Sequence, residues 1–319
     1  MPQNNVIGVD LGGTKTFIGR FLADSLKLDT YVEMPTNAKS GLQNVFKEIA
    51  QVIQKMKTAD TLAVGIGIPG LVALPEGIVI HTPNISGGEG VRAKEILQRT
   101  LDLPVFVDND ARCFTLAEAH HGVGKGKRTV VGITIGTGVG GGIVINGRIF
   151  HGSHGFAGEI GHMLLHPGIV PYDTKDKRGD VEQYVSGTAM GKRCSAAKKP
   201  QDYLEGQVCA FLQPKVFEEI AQVVASLTYL LDPDIIIFGG SAGKSLAPHI
   251  RKIAVELTNW TMDGTPLPEM AISTISNAGA LGAAILARPT INDDQPFVLQ
   301  HVHDEVKTPK KTTKKKSKK

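Results

Sequence analysis

The sequence predicts an α/β protein of two similar halves with a cleft between them. Three observations carry this expectation. A strand–glycine turn–strand unit occurs twice, at residues 6–20 and 129–150. Each copy is followed by helical patterns and by short, continuously apolar runs of the kind buried in a parallel sheet. Glycine, 37 of 319 residues, gathers at the turns after those runs. Repetition of one supersecondary unit points to a duplicated architecture whose halves face each other.

The elements follow in order. Val6, Ile7 and Val9 supply the first strand, "DLGGTKT" (10–16) the turn, and Phe17 and Ile18 the return strand. In "GLQNVFKEIAQVIQKMK", Leu42, Val45, Phe46, Ile49, Val52, Ile53 and Met56 recur at helical spacing. "TLAVGIGIPG" and "LPVFVDND" read as two further strands, the second running into a helix through "DNDARCFTLAEA". "RTVVGITIGTGVGGGIVINGRIF" repeats the opening pattern. A second amphipathic helix carries Val216, Phe217, Ile220, Val223, Val224, Leu227 and Leu231 on one face. "DPDIIIFGGSAG" is a buried strand entering a glycine turn, and "NAGALGAAILA" is a small-residue helix suited to close packing.

Composition narrows the class. The apolar fraction of 41% supports a large core. The net charge of +4 hides an asymmetry, because "KTPKKTTKKKSKK" (307–319) holds eight Lys and no acid, which leaves −4 for residues 1–306. Such a block cannot bury itself and is expected to be disordered, a solubilising tail or a contact for polyanions. Cys113, Cys194 and Cys209 are odd in number and widely spaced, which suggests neither a disulfide framework nor a C-x-x-C metal site and fits a reducing compartment. No apolar run is long enough to span a bilayer, and the N-terminus lacks a signal-peptide pattern, so a cytoplasmic location is expected.

Three glycine turns follow strands: "DLGGTKT", "GTGVGGG" (136–142) and "GGSAGK" (239–244). Glycine permits positive φ and close approach of a ligand to the main chain, and successive N–H groups form anion-binding concavities. Thr14 and Thr137 add hydroxyl donors. Each turn alone reads equally as a hairpin; three together favour a nucleotide. The spacing matches neither a P-loop nor a dinucleotide fingerprint. Asp10, ending the first strand, either bonds its own turn or holds Mg²⁺ near phosphates. Asn109 and Asp110 either cap a helix or serve a substrate hydroxyl, Asp110 as the base in phosphoryl transfer. Asn84, Glu159, His162 and Glu182 could add hydroxyl partners of the kind a sugar demands.

"GVDLGGTKT", "GIPG" with "TPN", "DNDA", "TIGTGVGGGIVINGRI", "GEIGH", "EQYVSGTA", "DPDIIIFGG" and "NAGALGAAILA" occur in that order. The ordered set, spanning about residues 5–290, resembles the ROK family of sugar kinases and repressors, most closely its bacterial glucokinase-like members. The resemblance implies a duplicated actin-like, ribonuclease-H-like ATPase fold. It implies ATP- and Mg²⁺-dependent phosphorylation of a hexose, foremost glucose at its 6-hydroxyl, with other hexoses, a polyphosphate donor or a non-catalytic sugar sensor as alternatives. It assigns Asp110 as catalytic base; Asn84, Asn109, Glu159, His162 and Glu182 as sugar ligands; Gly12, Gly13, Thr14, Lys15, Thr137 and Gly138 as phosphate-loop positions; and Gly239 and Gly240 as the adenosine-side loop. The implied small domain is 1–110 plus about 278–290 and the large domain 111–277, followed by an extension over 291–306. A homodimer is implied.

Two departures qualify the likeness. Only four residues precede the first strand, where the repressor branch carries a helix-turn-helix, so specific DNA binding is not expected. Family members place a cysteine-rich zinc motif between "GHM" and the last Glu of the site. This chain has "HPGIVPYDTKDKRGDVE" there, a poor tetrahedral ligand set, so no zinc is expected. Leu164, Leu165, Ile169, Val170 and Tyr172 are expected to hold that loop by apolar packing instead.

Overall fold

The computed structural model describes residues 3–197 and 200–288. The expected extension over 291–306 and the Lys-rich tail lie outside the described residues. Two five-stranded sheets organise the chain. The first contains β1 (Asn5–Leu11), β2 (Lys15–Leu22), β3 (Leu28–Pro35), β4 (Thr61–Ile68) and β7 (Val105–Asn109), in the order β3-β2-β1-β4-β7. A small hairpin, β5 (Leu71–Ala73) with β6 (Ile78–His81), follows β4. The second sheet contains β8 (Thr129–Ile135), β9 (Val139–Ile145), β10 (Arg148–Ile149), β11 (Ile235–Gly239) and β12 (Glu269–Ile272), in the order β10-β9-β8-β11-β12.

The two sheets repeat one topology. In each, the first strand pairs antiparallel with the second and parallel with the fourth, which pairs parallel with the fifth. The twofold occurrence of strand–glycine turn–strand therefore does mark a duplication.

Helices cover the sheets where the apolar periodicity requires. α1 (Leu42–Met56) lays Leu42, Val45, Phe46, Ile49 and Ile53 on the first sheet, beside α2 (Ala93–Leu101). α7 (Gln213–Leu231) lays Val216, Ile220, Val223, Val224 and Leu227 on the second, with α9 (Ile250–Leu257) adding Ile253 and Leu257. Between the sheets lie α3 (Asp110–His121) and α10 (Ala278–Leu286). Their Phe114, Leu116, Ala280 and Ala284 share one core cluster with Val6 and Phe21 of the first sheet and Val130 and Ile237 of the second. α3 is buried on nearly every face, as a central helix must be. Three short helices, α4 (Glu182–Val185), α5 (Gly187–Arg193) and α6 (Pro200–Leu204), precede α7, and α8 (Gly240–Lys244) follows β11.

α10 reaches its place by backbone contact. A Cβ built on Gly8 of β1 would stand 2.0 Å from the Ala280 carbonyl oxygen, and one on Gly65 of β4 would stand 1.8 Å from that of Ala283. On the opposite face, a Cβ on Gly282 would meet the Cys113 carbonyl oxygen at 1.7 Å. No side chain fits in either seam.

One sequence expectation fails here. Cys194 and Cys209 form a disulfide, with Cα atoms 6.0 Å apart. The turn after α5 folds the chain back so that cysteines 15 residues apart meet, a closure invisible in linear spacing. Cys113 is free and buried. Among the described residues no helix is long and apolar enough to cross a membrane.

The glycine seams are testable. Gly65→Ala is expected to destabilise the protein by about 1–3 kcal/mol through overpacking. Urea unfolding of the variant beside a surface Gly→Ala control, Gly126→Ala excluded because its φ is positive, measures the difference.

Candidate active site

The site is assembled where strands of both sheets end beside the central helices. A cavity of about 350 Å³ is lined by Asp10, Asp110, Phe114, Thr134, Gly240, Ser241, Lys244, Ser273, Ser276 and Gly279, among others. Asp10 is the penultimate residue of β1 and Asp110 opens α3, so the two acids predicted from distant motifs line one cavity. Burial, with Asp110 as a second contribution, raises the Asp10 carboxyl to about 7. Burial also raises Asp110, opposed by the hydrogen bond that its Oδ1 accepts from the Ala111 N–H at 2.8 Å. A Cβ on Gly279, in the first turn of α10, would lie 2.5 Å from the Asp10 carboxylate, so only glycine lets the helix come this close.

Two neighbouring carboxyls whose charge the site resists are a setting that a divalent cation relieves. Mg²⁺ needs only one or two carboxylates when phosphate and water complete its shell. Asp10, with Asp110 nearby, fits that role. Among the described residues no group of three or more His, Cys, Asp or Glu side chains could hold a metal by itself.

The glycine turns combine positive φ with close contact. Of Gly12, Gly13, Gly138, Gly239 and Gly240, only Gly240 has positive φ, at 77°. The others are required by close approach. Gly13 lies against Asn84, whose Cβ would be 3.0 Å from a Cβ there, which joins the first turn to the predicted sugar-side loop. Gly239 makes room for the Phe114 ring, which lines the cavity. A Cβ on Gly138 would stand 2.4 Å from Glu182 Oε2. Thr14 borders a shallower hollow with Gly13 and Lys39. The Lys15 ammonium is drawn to Glu33 of β3, forming an exposed ion pair rather than reaching the cavity.

The predicted sugar ligands carry structural duties as well. Asn109 caps α3: its Oδ1 accepts from the N–H groups of Ala111 and Arg112 at 2.9 and 3.1 Å, and its Nδ2 donates to the Gly70 carbonyl. Glu182 Oε2 accepts from the Val139 N–H at 2.8 Å, tying α4 to the turn between β8 and β9. α5 docks on the same turn, with the Gly187 N–H bonded to the Gly136 carbonyl and the Thr188 hydroxyl to that of Thr137. Glu159 Oε1 accepts from Arg112 Nη2 at 2.9 Å. Burial raises the Glu159 carboxyl, while Arg112 and then His162 oppose the shift. His162 and Asp110 thus lie within electrostatic reach of Glu159.

The loop between His162 and Glu182 meets the expectation in part. Leu165 packs against the core of the second sheet and Val170 and Tyr172 are partly buried, whereas Leu164 and Ile169 are exposed. Polar groups supply further fastening. Buried Asp180 pairs with His162 Nδ1 and with Arg178 Nη1, both at 3.3 Å. Gln183 accepts from the Gly179 N–H and donates to the Asp176 carbonyl, and the Tyr184 hydroxyl donates to that of Ile169. The His166 ring stands edge-on to Tyr184. A backbone rich in turns exposes its own polar groups, and these stitches satisfy them where apolar side chains would not.

With this geometry in view, the comparisons with known proteins decide the family. The family model described as "ROK family" matches residues 6–290. The chain belongs to the ROK family. Its architecture is accordingly the actin-like, ribonuclease-H-like ATPase fold. Among curated ROK relatives, a glucokinase of Thermotoga maritima is 30% identical over 91% of this chain and 99% of its own length. The N-acetylgalactosamine kinase AgaK of Shewanella sp. strain ANA-3 is 32% identical over 88% of this chain and 95% of its own. Among solved ROK structures, a Streptomyces griseus glucokinase in complex with glucose and AMPPNP superposes with a TM-score of 0.73 at 28% identity, covering 89% of this chain and 99% of that one.

Sequence reasoning missed part of the cavity. Ser241 and Lys244 sit inside the quoted "GGSAGK" turn and could have been read from it. Ser273 and Ser276 lie in a segment with no motif, and Thr134 and Phe114 are placed only by strand and helix direction.

Two predictions follow from these contacts. Because Asp10 titrates near 4 when unfolded and about 7 when folded, the folded state holds the extra proton between those values. Stability from this group is therefore greatest below pH 4 and falls as pH rises to 7, with an upper bound of about 4 kcal/mol that the solvent-open side of the carboxyl lowers. Asp10→Asn in metal-free protein is expected to be near neutral at pH 4 and stabilising by about 1–3 kcal/mol at pH 8, by urea unfolding. Separately, Asp180→Ala should speed tryptic cleavage after exposed Lys175 or Lys177 by about tenfold, because local opening no longer breaks the Asp180 pairs.

Proposed function

We propose that this chain is a sugar kinase, specifically an ATP-dependent hexokinase that converts glucose to glucose 6-phosphate. The observation that carries the reading is that Asp10 and Asp110 share one cavity with Ser241 and Lys244. The likeness to a relative that holds glucose and AMPPNP supports it.

In this reading Asn84, Asn109, Glu159, His162 and Glu182 bind the sugar hydroxyls. Asp110 accepts the proton of the 6-hydroxyl as that oxygen attacks the γ-phosphoryl group of ATP, and ADP leaves. Its raised proton affinity suits a group that takes up that proton. Gly13, Thr14, Thr137 and Gly138 present backbone and hydroxyl donors to the phosphates, while Gly12 closes the first turn by donating its N–H to the Lys15 carbonyl. Gly239, Gly240 and Ser241 flank the adenosine, and Lys244 adds a cation there. Lys15 would serve only by leaving Glu33. Mg²⁺ held by Asp10, directly or through water, would neutralise charge on the phosphates.

A second reading, an N-acetylhexosamine as acceptor, is favoured by one observation. Relatives named N-acetylgalactosamine kinase and N-acetyl-D-glucosamine kinase are 32% and 30% identical to this chain, level with the glucokinases.

Coupled assays with glucose, mannose, fructose and N-acetylhexosamines, using ATP or polyphosphate as donor, test the reading. Asp110→Asn should keep glucose affinity within about threefold while kcat falls by about 10²–10⁴. Normal turnover in that variant would remove Asp110 from the role of base.

A further inference from the structure

Among the described residues the largest side chain with no exposure is a charged one, Arg112, in the first turn of α3. Its Nη1 lies 3.3 Å from Asp108 Oδ1 and its Nη2 2.9 Å from Glu159 Oε1, and Nη2 also donates to the Gly155 carbonyl. Asp108 is 1% exposed, and its other oxygen lies 2.6 Å from His151 Nε2. The Arg112 Nε is buried without a hydrogen-bond partner. Buried ion pairs recover their desolvation cost poorly, and an orphaned donor adds to it, so apolar residues would fill this space more cheaply. Breaches of that kind concentrate at functional sites.

The geometry of the cluster shows what the cost secures. Glu159 is pinned through one oxygen only, and the side chain remains 21% exposed. Its Oε2 has no partner among the described contacts, so it is the oxygen left for a ligand. An ionised carboxylate accepts hydrogen bonds and donates none, whereas a protonated one would present a donor. Arg112 cannot lose its proton. Gly155, which it also grips, stands four residues before Glu159 in the same loop.

We propose that Arg112 is a positioning residue for sugar recognition, fixing the loop 155–159 and holding Glu159 as an ionised acceptor with Oε2 free for a substrate hydroxyl. The inference rests on the sugar-kinase reading for the identity of the ligand. Arg112 itself, with no exposed surface, touches no substrate; its effect runs through Glu159. Asp108 balances the guanidinium from the other side, and His151 holds the second oxygen of Asp108.

Kinetics of the full chain test this with Arg112→Met, Arg112→Lys, Glu159→Gln and the double variant Arg112→Met/Glu159→Gln. Arg112→Met should raise the sugar KM by about 10- to 100-fold, the loss of one charge-assisted bond, and leave the ATP KM within about twofold. The acid limb of kcat/KM for the sugar should move to higher pH, because only His162 then opposes burial and Asp110 at Glu159. Arg112→Lys, which keeps the charge, should leave that limb in place and recover most of the affinity. In the Glu159→Gln background, Arg112→Met should add less than about threefold, since the two act as one unit. Additive losses, an unmoved acid limb, or a fall in kcat alone would overturn the proposal. If Arg112→Met does not fold, Arg112→Lys decides: a sugar KM rise of about two- to tenfold is expected, and an unchanged KM refutes the role. Calorimetric sugar binding separates the two claims. A wild type that binds hexose without phosphorylating it defeats the kinase reading, while the same shifts in Kd would still support Arg112; a wild type that binds no hexose overturns both.

Discussion

Crowding of acids at one place is the constraint to which this structure answers. Asp10, Asp108, Asp110 and Glu159 converge where β1 and β7 end beside the central helices. Like charges drawn out of water must be neutralised, protonated or paired. The protein uses a different solution for each. Asp108 is paired on both oxygens, by Arg112 and His151. Glu159 shares the same guanidinium. Asp110 keeps a backbone N–H at the helix start, and Asp10 takes the proton burden. Every group in the series is therefore answered from within the chain except the pair facing the cavity, which is where a metal and a phosphate would complete the balance.

The same residues show how a site can use side chains for two purposes. Asn109 caps a helix, and Glu182 ties a strand turn to α4. Both are fixed before any ligand arrives, so little rotamer entropy remains to be lost on binding. The loop between His162 and Glu182 is stitched by Asp180, Gln183 and Tyr184, with Leu165 as its apolar contact to the core. A polar fastening keeps the loop's own carbonyls and N–H groups satisfied, and it leaves Leu164 and Ile169 on the surface.

Much of this was legible in the sequence. Continuous apolar runs located β1, β4, β8 and β11, and helical spacing located α1 and α7, because those elements are buried on faces that periodicity reports directly. The duplication was legible because both halves begin with the same hairpin. Short edge elements such as β12, with its partly exposed Glu269–Ile272, carry too little apolar pattern to stand out. Asp10 and Asp110 could be nominated from their positions after strands. Arg112 could not: in "DNDARCF" it reads as an ordinary helix-surface cation, and only the convergence of Asp108 and Glu159 puts it inside. The Cys194–Cys209 pairing was hidden for the same reason. Which of the two freedoms a glycine in these turns uses was not legible, because close contact at Gly13, Gly138 and Gly239 and positive φ at Gly240 are set by what packs against each turn.

The seating of α10 bears on how the molecule is made. This helix lies against Gly8 and Gly65 and its first turn borders Asp10, yet it is the last described element of the chain. A ribosome releases β1 and its aspartate long before residues 278–286 exist. Until they emerge, the inner face of the first sheet lacks its cover and Asp10 lacks one side of its pocket. The acid site therefore cannot be finished by the nascent amino-terminal half, and competence waits until residues 278–286 have left the ribosome.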